Sequence, residues 1–64
     1  MPHYDVTVRL SGEDGNAFAI LARVDRALKN AGVSDADREQ FYEEATAEYY
    51  DHLLRTCAKW VNVT

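Results

Sequence analysis

The chain has 64 residues, a formal net charge of −4 and a single cysteine. A chain of this length forms one domain and buries only about 60% of its unfolded surface, so its core is small. The negative charge argues against broad binding of nucleic-acid phosphates, which requires clustered Lys and Arg. No apolar run is long enough for a membrane span, and the first residues lack the pattern of a signal peptide. We therefore expect a cytoplasmic protein with one reduced thiol and without membrane or direct nucleic-acid partners.

The first predicted element is a half-buried β-strand at residues 5–10. Its apolar residues are Val6, Val8 and Leu10, and they alternate with polar residues. Alternation of this kind is typical of a strand with one face on the core.

A short junction with two glycines, Gly12 and Gly15, joins the strand to the next element. Such a turn often carries binding groups, and either Asp14 or Asn16 can cap a following helix. Glu13, Asp14 and Asn16 also offer oxygen atoms to a metal or small ligand. The lysine of a phosphate-binding loop and the spacing of an EF-hand are absent. A small-ligand or metal site at Gly12–Asn16 is therefore the alternative to a plain turn.

The most regular pattern predicts a helix from Asn16 to Ala31. Gly32 follows at the position that favours a left-handed glycine. Phe18 falls to the side of the main apolar stripe. The residues of that stripe recur at the helical spacing and are Ala17, Ile20, Leu21, Val24, Ala27, Leu28 and Ala31.

Two further helices and a terminal strand are predicted in the second half of the chain. Ser34 begins a helix with Asp37 in the place of the usual Glu of a capping box, and this helix ends near residues 45–46. A bend then leads to a third helix at about residues 47–59. Val61 and Val63 alternate and are expected to pair with residues 5–10. The predicted fold is α+β, in the order β-α-α-α-β, with a small two-stranded sheet packed against helices.

Few residues suggest chemistry. Glu48 and His52 are four residues apart and can share a helix face, but one acid and one histidine are too few ligands for zinc. Cys57 lies on an apolar stripe near the end of a helix, where a thiolate is disfavoured, so it is expected in the core. No nucleophile has a base at a suggestive spacing, and we expect neither an enzyme nor a bound cofactor.

The surface features favour protein binding. Seven acids follow Gly32. They form either a solvated face, a docking surface for a basic partner or a partial mimic of nucleic-acid charge. The seven aromatic residues exceed what one small core can bury, and Tyr and Trp are favoured at interfaces. We therefore predict that the chain binds an unidentified protein partner, with a homodimer as a second hypothesis. The expected partner-binding residues are Glu13, Asp14, Phe18, Tyr49, Tyr50 and His52.

Two segments resemble a family of short bacterial proteins of unknown function that are also carried by phages and plasmids. These are the segments Gly12–Leu21 (GEDGNAFAIL) and Tyr50–Leu54 (YDHLL), followed by Trp60-Val61. The resemblance implies a bacterial protein, accessory to a mobile element, and it implies no catalytic residues.

The chain departs from the pattern of that family at two places. Ala22 stands where the family often has glycine, and Ala47-Glu48-Tyr49 stand where it often has Ser-Gly-Asp. The second departure removes a turn-forming glycine from the predicted bend.

Overall fold

The structure is a computed structural model that describes residues 3–10, 12 and 16–64. Within these residues it has the order β-α-α-α-β, which confirms the predicted α+β fold. The elements are β1 (Thr7–Val8), α1 (Ala17–Asn30), α2 (Asp35–Ala45), α3 (Tyr50–Trp60) and β2 (Asn62–Val63).

The two terminal strands pair in parallel. Thr7 lies opposite Asn62, and Val8 lies opposite Val63. Parallel strands need a long crossover connection, and here the three helices provide it. The predicted pairing of the chain ends is thus confirmed.

The regular strands are shorter than the predicted residues 5–10, although the hydrogen bonding continues on both sides. The Tyr4 N–H donates to the Trp60 carbonyl at 3.0 Å, and the Leu10 N–H donates to the Thr64 carbonyl at 2.9 Å. The alternation is still correct, because Val8 and Leu10 are buried and Val6 is half-buried.

Helix α1 begins as the sequence predicts. The side chain of Asn16 accepts a hydrogen bond from the Ala19 N–H at 3.1 Å, so Asn16 is the N-cap. This bond satisfies one of the free N–H groups of the first turn.

The end of α1 is a Schellman motif. The Val33 N–H donates to the Leu28 carbonyl, and the Gly32 N–H donates to the Lys29 carbonyl, both at 3.0 Å. Gly32 has φ +88°, a conformation that glycine adopts without strain. The prediction that Ala31 belongs to the apolar stripe is wrong, because the chain turns there and leaves Ala31 exposed.

Helix α2 is capped by Ser34, whose Oγ accepts from the Asp37 N–H at 3.2 Å. The predicted bend follows, but α3 begins at Tyr50 rather than at about Ala47. Thr46 contributes to the end of α2, since its Oγ1 donates to the Tyr42 carbonyl at 2.8 Å. The Thr46 N–H donates to the same carbonyl at 3.0 Å, so this carbonyl near the end of α2 accepts two hydrogen bonds.

The core lies between the inner face of the sheet and the three helices. Cys57 is fully buried, as predicted. The buried apolar residues are Val8, Leu10, Ile20, Leu21, Val24, Leu28, Phe41, Ala45, Leu53, Cys57, Trp60 and Val61.

Candidate functional site

Large aromatic side chains lie exposed where α1 meets the end of α2 and the start of α3. Phe18 is 80% exposed, Tyr49 is 87% exposed and Tyr42 is 50% exposed. Phe18 points outward because the residues at the core-facing spacing of α1, Ile20 and Leu21 among them, take the buried positions. We call the surface formed by Phe18, Tyr42 and Tyr49 the aromatic face.

The aromatic face contains two depressions, one on each side of Phe18. The first has a volume of about 210 Å³ and lies between α1 and α2. It is lined by Phe18, Leu21, Ala22, Asp25 and Tyr42. Its lining is mostly apolar, so it is suited to an apolar side chain rather than to a charged ligand.

The second depression has a volume of about 230 Å³ and lies toward the bend before α3. Phe18 and Leu21 line this depression as well as the first, and Tyr49 and Tyr50 form its far side. The structure therefore brings together three of the predicted partner-binding residues, which are Phe18, Tyr49 and Tyr50. Tyr50 differs from the other two, because it is half-buried and packs against the core.

An ion pair crosses the groove between α1 and α2 beyond the first depression. Arg38 Nη1 lies 3.2 Å from Asp25 Oδ1 and 3.3 Å from Asp25 Oδ2. Arg38 also donates from Nε to the Val33 carbonyl at 3.4 Å, and its Nη2 pairs with Asp35. Asp25, the acid of the first depression, is thus already balanced by a cation of its own chain.

Arg26 lies outside this groove, because it lines a separate depression together with Ala19, Ala22 and Arg23. Lys29 on α1 and Glu39 on α2 are exposed.

His52, another predicted partner-binding residue, does not line either depression of the aromatic face. Its Nε2 lies 2.9 Å from the main-chain carbonyl oxygen of Glu44, and its Nδ1 lies 3.5 Å from Glu48 Oε2. The predicted Glu48–His52 pair is present, but the shorter contact of His52 is with the end of α2. His52 is therefore placed to hold two helices together.

Two of the predicted residues, Glu13 and Asp14, lie outside the described residues. Gly12, before them, has φ +91°, which fits a sharp turn after the strand. The side chain oxygen of Asn16 is already used as the helix cap. Among residues 3–10, 12 and 16–64 no group of three or more His, Cys, Asp or Glu is placed to hold a metal ion. The ligand or metal site at this junction stays a prediction.

Two buried or partly buried groups have perturbed acidity. Burial raises the pKa of the Cys57 thiol to about 11. Loss of hydration and the hydrogen bond to Asp37 raise the pKa of the Tyr4 phenol. Both groups stay protonated at neutral pH, so neither supplies a nucleophile or a base there.

Sequence reasoning missed Tyr42 and Leu21 as parts of the site. A signal for Tyr42 exists, because its neighbour Phe41 is the better core residue and adjacent residues on a helix point about 100° apart. Leu21 was correctly predicted on the apolar stripe, yet its edge also forms part of both depressions. A residue on the boundary of a stripe can serve the core and the surface together, and periodicity alone does not reveal this.

No helix in the described part of the chain is both long and apolar enough to cross a bilayer. Comparison of the chain with known protein families, with curated proteins and with solved structures finds no match.

Proposed function

We propose that this protein is a non-enzymatic protein–protein interaction module that binds through its aromatic face. The observation that carries the proposal is the cluster of exposed Phe18, Tyr42 and Tyr49 around two depressions lined largely by apolar side chains. Exposed single apolar side chains are ordinary, whereas several that share one concave surface mark an interaction site.

The chemistry of the face also favours a protein over a small polar ligand. Tyrosines supply large contact areas with few rotatable bonds, and their hydroxyls bond water when the face is free. Asp25, the acid that lines the first depression, is paired with Arg38 of the same chain. A partner that covers it therefore leaves no uncompensated carboxylate in that depression.

The resemblance of the segments Gly12–Leu21 and Tyr50–Leu54 to short bacterial proteins supports a further part of the proposal, that the module is a cytoplasmic accessory of a mobile element. This part of the proposal depends on the sequence segments alone, while the interaction site depends on the structure. The acidic helices remain an additional contact surface for a basic region of a partner.

Site-specific photo-crosslinking tests the proposal. A benzophenone amino acid at position 18 should give covalent adducts with protein in cells, and the same group at exposed Ala58 should give few or none. Ala58 is a suitable control because it lies on α3 and lines neither depression. Equal adduct yields from the two positions would contradict the proposal.

A further inference from the structure

We infer that the chain has a second binding site, an acidic pocket that takes an arginine side chain of a partner peptide. This site goes beyond the proposed function, because it shares no lining residue with either depression of the aromatic face. The acidic pocket is a depression of about 320 Å³ where α2 meets the end of α3 and the chain before β1. It is lined by His3, Tyr4, Asp37, Gln40, Glu44 and Trp60. Ligand sites in proteins measure about 300–1,000 Å³, so the pocket has room for one side chain rather than for a large cofactor.

The charge of the pocket comes from one face of α2. Asp37, Gln40 and Glu44 follow one another at spacings of three and four residues, so they share a face over about 10 Å of helix. The lining includes two carboxylates and neither Lys nor Arg. Asp25 of the first depression is balanced by Arg38, whereas in the described part of the chain Asp37 and Glu44 form no ion pair. The pocket therefore favours a cation.

Most of the hydrogen-bonding capacity of these carboxylates is unused within the chain. The Tyr4 hydroxyl donates to Asp37 Oδ2 at 3.1 Å. Among residues 3–10, 12 and 16–64, no other group donates to the side chain of Asp37 or Glu44. Because a carboxylate only accepts hydrogen bonds, a complementary ligand carries several N–H donors.

An aromatic wall completes the pocket. The His3 N–H donates to the Lys59 carbonyl at 2.7 Å, and the Tyr4 N–H donates to the Trp60 carbonyl at 3.0 Å, so both residues are held against the end of α3. The Tyr4 ring stacks on Trp60 with centroids 5.8 Å apart, and the His3 ring meets Trp60 edge-on at 5.0 Å. Rings beside carboxylates favour arginine over lysine, because a guanidinium is planar, stacks on aromatic rings and binds a carboxylate through two N–H groups.

Trp60 provides an independent indication of a ligand. It is only 5% exposed, and its Nε1–H has no acceptor among the described residues. A buried N–H without an acceptor is rare and destabilising. A bound peptide brings main-chain carbonyl oxygens as acceptors, whereas a free guanidinium compound such as agmatine brings only donors. The arginine is therefore assigned to a peptide.

An NMR titration of the isotope-labelled chain tests the inference. The chain has one tryptophan, so a single indole N–H resonance reports on the pocket. The probe is a capped glycine-arginine-glycine peptide, and the matched probe has citrulline, which keeps the shape of arginine without its charge. We expect a saturable shift with the arginine peptide and binding of the citrulline peptide that is at least about tenfold weaker. No saturable shift with the arginine peptide, or equal affinities for the two peptides, would overturn the inference.

Glu44→Gln locates the bound peptide, and Glu43→Gln is the matched control. Both variants remove one charge from α2 and keep the shape of the side chain, but exposed Glu43 does not line the pocket. Glu44→Gln should raise the Kd of the arginine peptide at least about fivefold, and Glu43→Gln should raise it less than about twofold. Equal effects of the two variants would overturn the acidic pocket as the site.

Agmatine serves as a third probe. Binding of agmatine as tight as that of the arginine peptide would overturn the assignment to a peptide. The outcomes are independent of those at the aromatic face. A peptide titration without effect leaves the aromatic face intact, and a lack of adducts from position 18 leaves the acidic pocket intact.

Discussion

The imidazole of His52 closes the end of a helix that is not its own. Its Nε2 lies 2.9 Å from the main-chain carbonyl oxygen of Glu44, in the last turn of α2. A carbonyl oxygen only accepts hydrogen bonds, so Nε2 carries the hydrogen. The last carbonyls of a helix lack the usual partner within that helix. The Glu44 carbonyl accepts a long bond from the Ala47 N–H at 3.4 Å, and α3 supplies the shorter one. The bond therefore couples the start of α3 to the end of α2 across the bend.

Replacement of His52 tests this coupling. His52→Ala should lower the free energy of unfolding by about 1 kcal/mol, because it removes one hydrogen bond from a partly buried carbonyl. Urea unfolding followed by circular dichroism gives the value, and amide exchange should show faster opening at the first turn of α3.

Glu48→Gln serves as the control for His52. The Glu48 carboxylate lies farther from the ring, at 3.5 Å, and its side chain is 65% exposed. Its removal should change stability by less than about 0.5 kcal/mol. A loss from Glu48→Gln as large as that from His52→Ala would show that the contact with Glu48, and not the carbonyl bond, accounts for the effect of His52.

Because the Cys57 thiol is buried, we expect the free energy of unfolding to fall at alkaline pH. Burial raises the pKa of Cys57 from 9.0 to about 11. Above pH 9 the unfolded chain releases the thiol proton while the folded chain retains it, so unfolding becomes more favourable as the pH rises. Between these two pKa values the contribution of Cys57 should fall by about 1.4 kcal/mol per pH unit.

Cys57→Ala isolates this effect from the titration of the tyrosines. The variant should be less stable at neutral pH, because it leaves a small cavity, but its stability should fall less steeply above pH 9. Parallel pH curves for the two proteins would contradict the prediction. The thiol of the wild-type chain should also react with a disulfide reagent only on unfolding.

The turn after α1 contains a position that requires glycine only for its left-handed backbone conformation. Gly32 has φ +88°, and an added Cβ would meet no atom within 4 Å. Gly32→Ala should therefore cost roughly 1–2 kcal/mol through the left-handed conformation and not through a clash.

Gly32→Asn gives a graded comparison for this position. Asparagine tolerates the left-handed region better than alanine does, so its loss should be the smaller of the two. Thermal unfolding of both variants measures the difference. A loss from Gly32→Asn as large as that from Gly32→Ala would contradict a cost set by the left-handed backbone conformation.

Much of the fold follows from local rules that the sequence carries. Asn16 and Ser34 each cap a helix whose start they predict, and Gly32 ends α1 as its position indicates. The alternation of Val6, Val8 and Leu10 correctly gives the inner face of the first strand. These features depend on neighbours within a few residues, which is why the sequence alone is enough to predict them.

The bend and the site depend on contacts between distant residues. Helix α3 begins at Tyr50, three residues later than the sequence predicts, and His52 holds the bend through its contact with the Glu44 carbonyl oxygen. The aromatic face needs Phe18 from α1 and Tyr49 from the bend to meet in space. Helical periodicity gives the direction of each side chain from its own axis but not which helix lies beside it.

The two ion pairs of Arg38 offer a test of how burial sets the value of a surface charge pair. Arg38 is 14% exposed and bonds Asp25 of α1 through both carboxylate oxygens. Asp35, its partner within α2, is 96% exposed. A double-mutant cycle with alanine at positions 25 and 38 should give a coupling of about 1 kcal/mol, because this pair is partly screened from water and joins two helices.

The cycle at positions 35 and 38 is the matched control. Its coupling energy should not exceed about 0.5 kcal/mol, since the exposed Asp35 carboxylate is well hydrated without Arg38 and an ion pair with it adds little stability. Salt should reduce this weak coupling further and affect the Asp25–Arg38 coupling less. A stronger coupling to Asp35 would mean that the guanidinium mainly stabilises the first turn of α2. A stronger coupling to Asp25 would identify Arg38 as the residue that fixes the position of α2 against α1. Arg38 would then also fix the width of the groove beside Phe18.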